Sequence, residues 1–380
     1  MQEDFMSSSL ADKTVATMLE LLAIDSPSGH EEKVRIHCVD RLLALGLTVD
    51  VDGKGNILGR LEASKGMEQA SPVLLNCHMD TVPSAVQVKP SIVDGILKSD
   101  GTTALGADDK AGIAAIFTAL EVIKDQRLPH GPILVLLTVS EEVGLEGAKA
   151  FDMKSLGPIE RGYTLDASGK VGTAIISAPS KSDATIVFHG KASHAGFAPE
   201  AGISAISLAA KAIDGMKLLR IDTETTANIG TIHGGAVTNI VCDRCEVTLE
   251  VRSSTSERVN RHLAHLEFCC IKAVGALGGS YEFMPVELYP GYNIGKDALE
   301  LHYFENVCKR LGLPFAAVPT GGGSDANIMR NQGMPVITLG IGYNGAHTLT
   351  ESIVVQELEN LTRLVVALCE PEEMVAEART

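Results

Sequence analysis

The stretch Pro72–Asp80, PVLLNCHMD, decides the fold. Its apolar residues run almost unbroken, as in a strand buried on both faces of a sheet. It then delivers His78 and Asp80 and turns at once on Pro83. Side chains two apart on a strand share a face, so His78 and Asp80 stand side by side where the strand ends. A carboxylate beside an imidazole fixes its tautomer, which suits a metal ligand or a catalytic base. The pair alone also fits ordinary polar groups of a loop, so its neighbours must decide.

Working outward, DKTVATMLELLAI and EEKVRIHCVDRLLALG upstream have helical apolar spacing, and Ser28 with Glu31 forms the S-x-x-E capping signature for the second helix. TVDVD and NILGRLE read as short strands. Downstream, KAGIAAIFTALEVIKD is a helix, GPILVLLTVSEE a second buried strand and GYTLDAS a third. Strands alternating with helices predict an α/β domain with helices on both faces of a largely parallel sheet. Near Lys181 the pattern changes. SDATIVFHGK, TANIGTIHGG and DRCEVTLEVRS alternate with period two around two helices, giving the strand and helix order of a ferredoxin-like α+β domain closed by SYEFMPVELYP. After Tyr292 the α/β character returns. The expected organisation is a catalytic domain of residues 1–180 and 293–380 with residues 181–292 inserted.

The 380 residues carry a net charge of −16, which argues against nucleic acid or an anionic membrane as a partner. No apolar run reaches membrane-spanning length, and the opening MQEDFMSSSL lacks signal-peptide character. Eight scattered cysteines fit reduced thiols and a cytoplasmic setting. CDRC, Cys242–Cys245, has no second CxxC to complete a zinc site, and its alternation reads as strand. Cys269 and Cys270 fall on the apolar face of a helix.

Four further clusters stand at predicted element ends: Asp108 and Asp109 before a helix, Glu141 and Glu142 after a strand, Asp166 after the next, and His347 late in the chain. In open α/β sheets such strand ends converge on one crevice. So many carboxylates repel one another unless cations neutralise them. Two divalent ions with nitrogen and oxygen ligands meet that need, leaving room for a shared water and one Glu as its base.

The series HMD, GADDKAG, SEEVG, LDAS, SHAG, GGGSDAN and GAHTLTE resembles the zinc-dependent M20 metallopeptidases, and within them the peptidase T branch of tripeptide aminopeptidases. The resemblance implies a three-layer α/β/α zinc-peptidase domain with the inserted domain as lid and dimerisation surface. It implies two Zn2+ per subunit, with Co2+ or Mn2+ as possible substitutes. His78, Asp108 and Asp166 would hold one ion, and Glu142, Asp108 and His347 the other. Asp108 would bridge, followed by a cis peptide to Asp109. Glu141 would be the general base, and Asp80 would orient His78. His194 would stabilise the oxyanion from the partner of a homodimer.

Arg252 matches a position that in the family binds a substrate carboxylate, its alternative being a surface ion pair. Asn239 is similar, and Gly322, Gly323 and Ser324 belong to a substrate-contact loop. That loop is no phosphate cradle, since no Lys-Ser/Thr follows its glycines. It departs from peptidase T at Gly321, where the family has an arginine, which leaves peptide length open. The expected activity is removal of N-terminal residues from tri- or dipeptides. The competing reading is an M20-type amidohydrolase of N-acyl amino acids, and a non-catalytic binder is disfavoured by the presence of Glu141.

Overall fold

In the computed structural model, residues 9–371 are described; most of the opening segment discussed above, residues 1–8, lies outside them. The chain forms two compact units. The second comprises Ser177–Asn293 with Thr320–Gly323, and the first the remaining described residues.

The first unit is a three-layer α/β/α structure. Its sheet runs Thr48–Val51, Ile57–Leu61, Ile133–Thr138, Val73–His78, Arg161–Ala167, Val336–Gly340 and Thr173–Ala178. The four strands from Ile133–Thr138 to Val336–Gly340 are mutually parallel, and the outer ones antiparallel. Every residue of Val73–His78 and of Ile133–Thr138 is buried, as the unbroken apolar runs require. Alternation along Val73–His78 places helices on both faces. Cys77 lies against Gly112 of the helix Ala107–Gln126, where an added Cβ would fall 2.6 Å from its Sγ. The preceding Asn76 points the other way, its amide donating to Asp325 of the helix Asp325–Asn331 at 3.4 Å. Only glycine permits the Gly112 approach, since the same Cβ would also meet Asp109 Oδ1 at 2.5 Å.

Because the central strands are parallel, their carboxyl ends share one edge. His78, Asp166 and the turn to Glu141 therefore arrive together. A separate four-stranded sheet joins Ser91–Val93, Ile96–Lys98, Ser352–Val354 and Tyr343–Asn344. The last two form a hairpin whose loop carries His347, at φ +64°, and Glu351.

The second unit is an antiparallel sheet ordered Leu219–Arg220, Thr226–Gly234, Arg244–Ser253, Ser180–His189, Ser280–Tyr289. The helices Ala205–Gly215 and Ser256–Leu277 pack on it over a core that includes Phe188, Val247, Leu208, Leu266, Cys269 and Cys270. The order of the four long strands is the ferredoxin-like one. All eight cysteines are free, and Cys245 is a buried core residue while Cys242 donates to the Arg244 carbonyl at 3.0 Å.

One local expectation fails. Ser28 and Glu31 do not cap the helix Glu32–Leu45: Glu31 occupies the N-cap position without a side-chain cap bond. Ser28 Oγ instead donates to Asp80 Oδ2 at 2.6 Å, and Glu31 Oε1 accepts from the backbone N–H groups of Gly29 at 2.8 Å and Ser140 at 3.0 Å. Tertiary bonds to the strand ends outcompete the local box, because a buried carboxylate left without partners costs more than an uncapped, partly exposed helix start.

Candidate metal centre and active site

His78 ends its strand with its ring wholly buried. Its Nδ1 sits 2.9 Å from the Asp80 carbonyl oxygen, so Nδ1 carries a proton toward that oxygen and Nε2 faces outward from the strand. That Nε2 lies 3.0 Å from Asp108 Oδ1 and 3.5 Å from Asp166 Oδ1. His347 Nε2 lies 3.3 Å from Asp108 Oδ2 and 2.9 Å from Glu142 Oε1. Asp108 therefore offers one carboxylate oxygen to each imidazole. Imidazole nitrogens aimed at shared carboxylate oxygens are the geometry of groups that hold a cation between them.

The buried Glu142 Oε1 accepts no well-aligned hydrogen bond, despite its closeness to His347. His78, Asp108 and Glu142 place one ligand atom each within 4.8 Å of one another. His78, Asp109 and Asp166 do so too. Asp109 Oδ2, however, accepts the His78 backbone N–H at 3.2 Å, which makes it a brace for the strand end. The peptide between Asp108 and Asp109 is cis.

Electrostatics follow from the crowding. Burial and the Asp166 charge push the Glu141 carboxyl well above its ordinary value, and burial with Asp108 does the same to Asp166. Burial opposes charge on His78, but its contacts with Asp108, Asp166 and Asp80 hold it well above the usual imidazole range. Contacts with Asp108 and Glu142 raise His347 to about 10. Asp108 is buried too, yet its bonds to the two histidines hold it below the usual carboxylate range. Carboxylates and imidazoles crowded in this way are the charges that divalent ions would balance.

Asp80 plays a wider part than orienting His78. Its carbonyl, not its carboxylate, makes the shorter contact to Nδ1; Oδ1 is 3.5 Å away. The carboxylate accepts the backbone N–H groups of Glu141 at 2.9 Å and Glu142 at 3.2 Å, tying the two strand ends together. Glu351, not singled out in the sequence although it sits in the His347 motif, accepts Gly106 N–H at 2.7 Å and Asp108 N–H at 3.1 Å. Asp325, one residue past the glycine loop, is buried with Thr138 and Asn76 as donors, and burial raises it to about 6.

The remaining candidates belong to the second unit, except Ser324. Its hydroxyl is buried and bonded to Thr338 at 2.6 Å, so it is not offered to a ligand. His194 and Asn239 are neighbours: the Ala195 N–H donates to the Asn239 carbonyl at 3.0 Å, and His194 bridges Ile240. His194 Nδ1 accepts the Gly196 and Phe197 N–H groups at 3.1 and 3.2 Å, which puts the ring proton on the exposed Nε2 as a free donor. Arg252 forks onto Glu250 at 3.1 and 3.2 Å, and its Nη1 donates to the Gly321 carbonyl at 3.0 Å. Gly322 bends over Thr320, and Gly323 packs where a Cβ would fall 2.5 Å from the Tyr289 ring.

A parallel sheet that gathers imidazoles and carboxylates at its strand ends, carrying an inserted α+β unit, defines a hydrolase of metallopeptidase type. Residues 179–274 match the family model described as a peptidase dimerisation domain of M20 type, and residues 56–209 match peptidase family M28. An uncharacterized Bacillus subtilis (strain 168) protein, YqjE, is 40% identical over 360 residues, 93% of this chain and 96% of that protein. The structure of aminopeptidase PepT from Bacillus cereus is 38% identical with a TM-score of 0.85, covering 96% of this chain and 99% of its own. A tripeptidase structure from Staphylococcus aureus is also 38% identical, with a TM-score of 0.89 over 97% and 99%. The chain belongs to the M20 peptidases, in their peptidase T-like branch, and is a peptide hydrolase.

Proposed function

We propose that the chain is a two-zinc aminopeptidase that removes the N-terminal residue from tri- or dipeptides. The observation that carries this reading is Asp108, whose two carboxylate oxygens face His78 and His347 separately. His78, Asp108 and Asp166 would hold one ion, and Glu142, Asp108 and His347 the other. Bound divalent ions supply Lewis acidity, lowering the pKa of water and polarising the peptide carbonyl.

The chain's own groups do the proton work. Glu141, buried and raised in pKa by its surroundings, takes a proton from the attacking water and returns it to the leaving amine. Asp80 holds Glu141 by its backbone N–H while that side chain cycles. His194, a donor at Nε2, stabilises the oxyanion from a partner subunit. Arg252 with Asn239 receives the substrate's far end, and the Gly322–Gly323 loop shapes it.

Support for a homodimer comes from the dimerisation-domain match and from exposed Met284 and Val286 on the edge strand Ser280–Tyr289. Free cysteines, and the lack of a helix long and apolar enough to cross a membrane among the described residues, agree with a cytoplasmic setting. The test is to incubate zinc- and cobalt-loaded protein with di- and tripeptides and N-acetyl amino acids, identifying products by mass. Release of N-terminal residues is the expected result, and cleavage of N-acetyl substrates alone would replace this reading with the amidohydrolase.

A further inference from the structure

We infer that Glu31 is a positioning residue for Glu141, acting through the backbone of Ser140; the inference rests on the reading of Glu141 as the base. Ser140 has φ +55°, the left-handed region that residues with a Cβ seldom enter. It is the one residue of the segment 138–142 with positive φ. Its surroundings hold it there. A single buried oxygen, Glu31 Oε1, accepts both the Ser140 N–H at 3.0 Å and the Ser140 hydroxyl at 2.9 Å, and the Gly29 N–H at 2.8 Å. On either side the backbone is fixed by other groups: Val139 N–H by Asn56 Oδ1 at 3.1 Å, and Glu141 and Glu142 N–H by Asp80.

Ser140 is thus the joint between a strand residue and the base, and Glu31 is the group that sets its angle. If Glu31 is removed, Ser140 can relax toward negative φ, and the direction in which Glu141 leaves the strand changes. The braces on His78 and Asp108 come from Asp80, Asp109 and Glu351 and do not involve Glu31. His78, Asp108 and Asp166 should therefore stay in place, and Glu142, two residues past the joint, would be anchored by the ion it holds, whereas the base has no such anchor and loses its aim. A misplacement of about 1 Å costs on the order of 100-fold in rate.

The experiment compares Glu31→Ala, Glu31→Gln and the double variant Glu31→Ala with Ser140→Gly, as metal-loaded protein, by metal content and by kcat and KM on a tripeptide. Glu31→Ala should keep both metals and its KM while kcat falls roughly 10- to 100-fold. Glu31→Gln, whose amide oxygen accepts the same three bonds, should recover most of kcat. Ser140→Gly added to Glu31→Ala should also recover kcat, because glycine reaches φ +55° without help. Should Glu31→Ala fail to fold, Ser140→Ala against Ser140→Gly decides the matter: the alanine, still strained but deprived of its hydroxyl anchor, should be the slower at equal metal content. Unchanged kcat in Glu31→Ala, no recovery in the double variant, or equal rates in the Ser140 pair would overturn the inference. Full activity in Glu141→Gln would instead remove the base assignment itself.

Discussion

The two units hold their candidate groups in opposite ways. In the first, His78, Asp108, Glu141 and Glu142 are braced by further buried groups. Asp80 holds Glu141 and Glu142, Glu351 holds the Asp108 turn, and Asp109 holds the His78 backbone. In the second, His194 and Asn239 stand exposed on paired loops, and Arg252 is committed to Glu250 and a glycine carbonyl. Buried cross-bracing suits groups that must hold charge at fixed separations in a low dielectric. Exposed donors on loops suit contacts made only when a substrate arrives. Substitutions in the first unit should therefore change metal content or chemistry, and those in the second should leave metal untouched.

The sharpest break should come at Asp108. Asp108→Ala is expected to lose both ions and with them all measurable turnover, whereas Asp166→Ala should lose mainly one; metal analysis after desalting separates them. If Asp108→Ala kept two tightly held ions, Asp109 would be the better bridge. Next in size is Glu141→Gln, which should retain both ions yet lose about 100- to 10,000-fold in kcat, the worth of a general base. A one-ion Glu141→Gln protein would make Glu141 a ligand.

In the second unit, His194→Ala should lower kcat about 100- to 1,000-fold with metal unchanged, as for one preorganised donor. Mixing His194→Ala with Glu141→Gln chains, once subunit exchange is shown with tagged chains, should restore activity if the histidine acts across a dimer. No rescue after proven exchange confines His194 to its own chain. Such a dimer should also be seen by light scattering at micromolar concentration. Arg252→Ala should raise KM about 10-fold or more for peptides with a free carboxylate, from loss of a charge-assisted bond, and leave peptide amides nearly unaffected. Equal effects on both would return Arg252 to a structural pair with Glu250.

The smallest effect concerns pH. Folded-state values of His78, His347, Glu141 and Asp166 all lie above their ordinary ones, His347 at about 10. Groups raised in this way contribute stability at low pH that is lost as pH rises through the folded value. The metal-free protein should accordingly show a falling Tm between about pH 6.5 and pH 10. Metal should bind more tightly over the same range, because the ligands must shed protons to bind it. A metal-free Tm that rises over this window would contradict the electrostatic picture.

Much of this was legible in the sequence because burial and periodicity are local signals. The unbroken runs before His78 and Glu141 pointed to strands covered on both faces, and the switch to period two near Lys181 marked the second unit. The strand-end residues then followed from topology. What escaped was long-range partnership. Glu31 fits a capping box by spacing, yet its oxygen goes to Ser140, 109 residues away. Ser324 looks like a loop hydroxyl, and only the packing of its helix against Thr338 hides it. Glu351 and Asp325 sat inside quoted motifs, but nothing in spacing alone tells a brace from a solvated carboxylate.

The central claim is a pair of ions sharing Asp108. Crystals of the zinc-loaded protein, with diffraction recorded above and below the zinc edge, test it most directly. Two anomalous peaks per chain are expected, one beside His78 and Asp166 and one beside Glu142 and His347, with an oxygen of Asp108 toward each. A single peak held by His78, Asp109 and Asp166 would contradict it.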